Sequence, residues 1–491
     1  MLSAAANSGG AEEGSDRLYA SRVRVYPQAV RGPVRRIKWA VLCLCLAVYY
    51  LAPWLRWDRG TGRPDQALLI DMPGRRAFFF GIEIWPQEVY YLAGLLILGA
   101  VALFSVTSLF GRMWCGYACP QTVWTDLFMW TERLIEGDRA VRMYRDREPW
   151  SLGKLARKIA KHLVWIVIAL GTGGAWVMYF NDAPGLVHDI INLQLSANVL
   201  FFMLLFTATT YLLAGWAREQ VCTYMCPWPR FQSAMVDCNT LTVMYREWRG
   251  EPRGKLKKGQ FWTGRGDCID CKSCVAVCPT GIDIRNGLQL QCIGCGLCID
   301  ACDQVMRRVG RPPGLIAFSS EAMREAVRSG VRDFTDVLHA ALFRPRTAVY
   351  AAVLLVGSAL MLWTLLSRVD FDLSILADRS PLYVRLSDGS IRNAYTVKIL
   401  NKSAEQRSFH LSVNGLPGAR LAIAGQDGSD VAATEGADLA IKPDTVGTFR
   451  VFLRAPVRAG QVEVPLAVSA VPTAGNESPI THPVSFHGPA G

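Results

Sequence analysis

The cysteines of this 491-residue chain are spaced for electron chemistry. Cys268, Cys271, Cys274 and Cys278, the last followed by Pro279, form one C-x2-C-x2-C-x3-C run, and Cys292, Cys295, Cys298 and Cys302 form a second. A cubane of iron and sulfide needs a thiolate at each corner. Two-residue spacers let one turn of backbone offer three sulfurs to one cluster, while the fourth comes from the other run. The ligand sets therefore cross over. Cys268, Cys271, Cys274 and Cys302 are expected to hold one 4Fe-4S cluster, and Cys292, Cys295, Cys298 and Cys278 the other. Gly294 and Gly296, beside the ligands, let backbone N–H groups approach the sulfurs. A zinc site would separate its ligand pairs by a longer gap, and a disulfide framework would not repeat one spacing twice. The runs differ at one point: Asp303, not proline, follows Cys302.

A second group of cysteines comes as a repeated phrase. The chain reads Arg112-Met-Trp-Cys115-Gly-Tyr117-Ala-Cys119-Pro120 and later Arg218-Glu-Gln-Val-Cys222-Thr-Tyr224-Met-Cys226-Pro227. Each is C-x-Y-x-C-P at the end of an apolar run. If helical, cysteines at i and i+4 share one face and can clamp a single ion, and the proline ends or bends the helix there. Four thiolates from two repeats make a soft site suited to Cu(I), with Met225 a further donor. The same sulfurs could instead take a third cluster, although the tight C-x2-C spacing is absent. They could also be ordinary buried cysteines, which is the reading for Cys43 and Cys45. His162, at a span end, is a nitrogen donor or a hydrogen-bonded boundary residue. With His188 on the other side there is no pair to ligate haem across the membrane. There is no C-x-x-C-H haem attachment sequence, P-loop lysine motif or H-E-x-x-H zinc motif.

The elements that must position these residues include membrane helices. The chain is 51% hydrophobic and 19% charged, with 15 tryptophans. Five apolar stretches, Ile37 to Leu55, Glu88 to Phe110, His162 to Phe180, Ala197 to Ala217 and Thr347 to Leu366, reach the roughly 20 residues needed to cross about 30 Å of hydrocarbon. Aromatic residues flank them, among them Trp54 and Trp57, Tyr90 and Tyr91, and Trp176 and Tyr179. Lys and Arg number seven in residues 1–38, five against four acids in 53–87, ten in 111–161, none in 181–196 and nineteen in 218–346. Positive residues are retained on the cytoplasmic side. The amino terminus, the second connection and the cysteine-rich insert are thus expected in the cytoplasm, and the tail outside. A reducing cytoplasm suits free thiols. The formal net charge of +12 is then a topology signal rather than a nucleic-acid footprint, since no basic stripe interleaved with aromatics accompanies it. No small-x-small site follows Leu55, so the first span reads as a retained anchor rather than a signal sequence.

From about Phe371 the pattern changes to short alternating strands: Leu382–Leu386, Ala394–Leu400, Phe409–Val413, Thr448–Leu453 and Val462–Val468. Turns such as Ser387-Asp388-Gly389 and Asn414-Gly415 separate them. That rhythm predicts an immunoglobulin-like sandwich, and without a titratable cluster it reads as a docking or bracing module. The expected fold is a multi-domain membrane protein with an α-helical transmembrane region of about five spans, a ferredoxin-like two-cluster insert and a carboxy-terminal all-β sandwich. Its parts are a tail at 1–36, four spans with the cysteine phrases at 37–217 and a cytoplasmic segment at 218–346 containing the insert at about 259–305. The fifth span at 347–366 and the sandwich at 370–491 complete the chain.

Together, the two C-x3-C-P phrases, the insert reading Cys278-Pro-Thr-Gly-Ile-Asp-Ile-Arg-Asn-Gly287 and Cys292-Ile-Gly-Cys-Gly-Leu-Cys-Ile-Asp-Ala-Cys-Asp303, and the sandwich resemble the FixG/RdxA family of cytochrome oxidase accessory proteins, also called CcoG. The resemblance covers nearly the whole chain beyond the amino-terminal tail. It implies a bacterial inner-membrane protein that reduces Cu(II) to Cu(I) for assembly of a cbb3-type oxidase. Under it, Cys115, Cys119, Cys222 and Cys226 bind copper and carry the catalytic step, while the eight insert cysteines hold the clusters that supply electrons. Implied partners are oxidase subunits or copper chaperones, membrane lipid and an electron donor that the sequence does not name. Asp303 follows the family's own form of the second run. Two other classes stay open: a quinol-linked polyferredoxin of a respiratory pathway, which the sandwich argues against, and an oxidase assembly scaffold with structural clusters.

Overall fold

The computed structural model describes residues 24–60, 62–255, 262–328, 344–403, 405–424, 436–456, 463–473 and 478–488. Most of the expected amino-terminal tail, residues 259–261 of the insert and Val462 lie outside the described residues. The chain divides into two compact units, Met1–Ala359 and Leu360–Gly491.

Five helices of the described chain are long and apolar enough to span a membrane: Pro33–Trp54, Pro86–Phe110, Leu152–Met178, Ala197–Ala217 and Pro345–Leu366. The first opens four residues before the apolar run because Pro33 occupies its first turn, where a missing N–H costs nothing. The third begins at Leu152, where the Ser151 side chain accepts from the Lys154 amide. At about 1.5 Å per residue it is longer than the hydrocarbon is thick. Its first turns, carrying Lys154, Arg157, Lys158 and Lys161, therefore stand at the boundary. The third and fourth spans touch closely at Gly173, where a Cβ would lie 2.7 Å from the Met203 carbonyl oxygen and 2.8 Å from the Thr207 nitrogen. A small residue at that point lets two backbones meet, as membrane helix pairs require. The fourth span finishes as a π-helical stretch, Tyr211–Ala217. Between the first two spans lies an antiparallel sheet of Leu68–Asp71, Arg76–Phe79 and Ile82–Ile84, an element absent from the sequence reading.

The insert follows the fourth span. Strands Thr242–Tyr245 and Ile316–Ser319 pair antiparallel and close it at its base. Its main helix, Leu297–Arg308, runs through Cys302, which explains Asp303: a proline there would interrupt the helix, whereas the Asp303 carboxylate accepts from the Gly314 amide at 2.7 Å. The same helix caps the first span. Asp300 Oδ2 accepts from the Arg35 amide at 2.7 Å and Oδ1 from the Val34 amide at 3.3 Å, supplying a carboxylate to a helix N-terminus.

The second unit is a sandwich of two antiparallel sheets. One has the order Arg420–Ile423, Thr445–Ala455, Ile391–Asn401, Phe371–Ala377, with Val384–Arg385 also paired to Ile391–Asn401. The other has the order Gly436–Ile441, Arg407–Asn414, Glu463–Pro472, Ile480–His487. Inward residues including Phe371, Tyr395, Ile399, Phe409, Leu411 and Leu453 form the core between them. Alternate positions along each strand face opposite ways, so each sheet buries one face.

Candidate metal centre

The insert brings the cysteines of its two runs together. Burial pushes the Cys302 thiol up to about 12, and the neighbouring Cys274, Cys271 and Cys268 push in the same direction. Cys298 is raised well above the usual thiol value, first by burial and then by Cys295, Cys292 and Cys278. Cys278 thus faces the second run and Cys302 the first. A small apolar space is lined by Cys274, Cys278, Cys292, Cys295 and Cys298, with Ile282 and Ile284. Thiols from both runs around an apolar space suit iron–sulfur binding, in which iron replaces their protons. Gly294, at φ +68°, makes the turn that presents Cys295.

Arg285 is a site residue that spacing does not reveal. It bonds Asp270 and Asp283, each at 2.6 Å, and its charge acts on Cys268. Its charge sits beside the first ligand set and ties two loops together. A cation near a sulfur favours the more negative, reduced state of a cluster held there.

The repeated phrases converge. Burial raises Cys222 to about 12, and Cys119, Cys115 and Cys226 add to the rise. Cys115 is pushed up to about 11, chiefly by burial, with Cys119 and Cys226 contributing in the same direction. The local conformation differs from the expected helix face. Met113–Tyr117 is a short helix holding Cys115, and Cys119 is already the N-cap of the next helix, Pro120–Glu136. Cys222 lies in a π-helical turn, Val221–Met225, with Cys226 capping its end. Each proline starts the next segment rather than ending a helix that holds both cysteines, since its ring suits a first helical turn. Met225 is 62% exposed. Among the described residues no three His, Cys, Asp or Glu side chains lie at the spacing of a single ion, in the phrases or in the insert. His162 is engaged elsewhere, its Nδ1 2.8 Å from the Tyr211 hydroxyl.

The two groups of sulfurs are packed against each other. A Cβ on Gly116 would lie 2.8 Å from the Ile293 carbonyl oxygen and 2.9 Å from the Cys295 nitrogen. Glycine in the first phrase thus admits the loop that carries Cys295. Cys115, Ile293, Cys295 and Leu297 share one core, against which Cys222, Cys298 and Trp228 pack. Arg112 fixes the contact by donating to the Leu290 carbonyl and to Gln232 Oε1. Gln232 in turn lies 3.2 Å from Cys115 Sγ.

Buried ion pairs hold the phrase-bearing helix in place. Asp126 meets Arg35 at 2.7 Å and Lys38 at 3.4 Å on the first span. Burial would raise the Asp126 carboxyl, but these cations overcome it and leave it below the usual range. Glu132 meets Arg142 and Arg218, each at 2.8 Å, and Arg218 precedes Cys222 by four residues. Carboxylates on one helix thereby set the positions of the first span and of the second phrase.

Comparison with known proteins places iron–sulfur binding on both cysteine regions. A 4Fe-4S dicluster domain model matches residues 217–321, and a 4Fe-4S binding domain model matches residues 92–137. The model for the Ig-like fold at the C-terminus of FixG matches residues 361–489. Nitrogen fixation protein FixG of Rhizobium meliloti is 47% identical over 462 residues, covering 89% of this chain and 88% of that protein. Protein RdxA of Cereibacter sphaeroides is 49% identical over 442 residues, covering 90% and 91%. Protein RdxB of the same organism is 51% identical over 410 residues, covering 83% and 85%.

Proposed function

This chain belongs to the FixG/RdxA family, and from that membership we propose that its iron–sulfur electron transfer ends on copper: Cu(II) is reduced to Cu(I) at Cys115, Cys119, Cys222 and Cys226, for assembly of a cbb3-type oxidase in a bacterial inner membrane. The observation that carries the reading is the contact of Gly116 with Ile293 and Cys295, which joins the four-sulfur site to the loop of the second cluster. When bound, the 4Fe-4S clusters of the insert supply electrons one at a time. The chain's own residues do the rest. Cys115 is buried and Cys222 partly buried in an apolar shell that favours a soft, low-charge ion, so Cu(I) is held better than Cu(II). Gln232 orients Cys115, and Arg112 keeps the insert loop against the phrase. The Lys and Arg distribution supports a cytoplasmic insert and an outer sandwich, with the sandwich free to meet oxidase subunits or a copper chaperone.

Cys115→Ser with Cys119→Ser, or Cys222→Ser with Cys226→Ser, should abolish tight Cu(I) binding and leave the iron of the insert in place. Cys271→Ser with Cys295→Ser should spare copper binding and stop Cu(II) reduction. Parent-like copper reduction by either phrase variant would sink the proposal. A second reading is favoured by the 4Fe-4S binding model over residues 92–137. In it the phrases hold a third cluster and relay electrons onward. Iron content separates the two, at about eight atoms per chain for copper at the phrases and about twelve for a third cluster.

A further inference from the structure

The electron donor has a place in this structure. Between Phe110 at the end of the second span, the strand Thr242–Tyr245 and the loop of the second cysteine run lies a cavity of about 430 Å³. That volume falls among small-molecule sites, and the lining is of the same kind, mostly apolar with a few polar groups. Phe110, Val243, Leu290 and Phe318 form apolar walls, and Cys292, an expected ligand of the second cluster, lines the same space. A molecule there would meet a sulfur ligand without an intervening domain. Thr242 contributes a buried hydroxyl that lacks a hydrogen-bond partner. Buried hydroxyls are nearly always paired, and the Thr242 side chain lines this space, so a turn about its Cα–Cβ bond would offer the hydroxyl to an occupant.

Charge decides the class of ligand. Arg112 is the one cation among the lining residues, and it is committed to Leu290 and Gln232. Asp237 and Glu321 are acidic, and Asp237 is held by Arg344 at 2.6 Å. Nicotinamide and flavin nucleotides carry phosphates that need free cations or backbone amides. A lipid-soluble donor with a neutral aromatic head and hydroxyl oxygens needs neither, and it can reach a cavity at the end of a membrane span.

The geometry points to a quinol as this occupant, oxidised at the cavity to feed the clusters. The inference rests on the iron–sulfur carrier reading, whatever the final acceptor. Both O–H bonds of the quinol break, its ring becomes the quinone, and two electrons pass by way of Cys292, one to each of the two clusters. The two protons leave through Glu321, an exposed carboxylate on the cavity rim, to water. When bound by the eight insert cysteines, two clusters would supply two one-electron acceptors for such a two-electron donor.

The test uses the full chain in lipid nanodiscs, kept anaerobic, with decylubiquinol and menadiol as probes. Either quinol should bleach the visible absorbance of the clusters. Leu288→Trp fills the cavity from a half-exposed position on its rim, and Thr242→Val removes the unpaired hydroxyl while keeping the shape. The first should slow reduction by quinol about tenfold or more, and the second should weaken binding by roughly three- to tenfold. Iron content and reduction by dithionite should stay at parent levels in both. Oxidised decylubiquinone should bind the iron-loaded parent, by equilibrium dialysis, and bind iron-loaded Leu288→Trp more weakly. Clusters that dithionite reduces but neither quinol does would overturn this inference alone. So would parent rates and parent binding in both variants, or a phospholipid retained in the parent and lost from Leu288→Trp. A chain that holds no cluster after reconstitution would instead overturn the carrier reading on which the inference stands.

Discussion

At the scale of single residues, the expected ligands rest on supports drawn from distant parts of the chain. The interval between thiolates is fixed by the cluster, so eight sequence positions disclose the chemistry. Gly116, Gln232 and Arg285 act across long stretches of chain, and no local spacing announces them. Gly116→Ala tests the most constrained of these contacts, since its methyl group would enter the backbone around Cys295. The expected outcome is loss of the second cluster with retention of the first, read as a fall of about four iron atoms per chain. Asp146 gives a pH prediction. Burial raises its carboxyl, but hydrogen bonds from Lys158 and Tyr26, with the Arg24 charge, overcome this and bring it to about 2 from an ordinary 3.8. Its folded value is depressed, so its stabilising contribution is complete above the unfolded value and is lost as pH falls toward about 2. The segment around Arg24 and Tyr26 should therefore become open to pepsin between about pH 4 and pH 2, and Asp146→Asn should open it already at pH 5.

At the scale of elements, the spans could be read because an apolar run of membrane length has few alternatives. The ends were harder. The third helix extends past its apolar run because its lysines and Ser151 suit a boundary as well as a helix does. The phrases were expected as helical faces, but the prolines favour starting a new segment, so Cys115 and Cys119 sit on consecutive helices. In the sandwich, strands Phe371–Ala377, Arg420–Ile423, Gly436–Ile441 and Ile480–His487 were passed over. The first three are short or rich in Gly and Ala, or follow directly on a span, and Ile480–His487 carries Pro483, which cannot donate to a ladder. The helix Pro120–Glu136 depends on its buried carboxylates. Glu132→Gln leaves Arg142 and Arg218 without their shared partner, and breaking such a pair costs about 3–5 kcal/mol. Thermal unfolding in detergent should move to lower temperature, whereas Arg24→Gln, at a longer 3.9 Å contact with the same carboxylate and half exposed, should have little effect.

At the scale of the whole molecule, the composition announced both a membrane region and polar units, and the repeated phrase linked them. Charge counts give the orientation to be tested. Reporter fusions after Trp130 and Met306 should read cytoplasmic, and one after Leu400 should read periplasmic; a cytoplasmic signal from the last would mean that one of the five spans does not cross. The cap that Asp300 places on the first span has a consequence for the order of biosynthesis. The two partners are 265 residues apart, so the first span leaves the ribosome long before its cap exists. Until the insert has been translated and has closed around its iron, the leading amides of that span have only water and lipid headgroups to bond. Iron supply then governs when the membrane region matures. Cells starved of iron should accumulate full-length chains that a cytoplasmic protease cuts near Gly32, and repletion should protect that point in newly made chains.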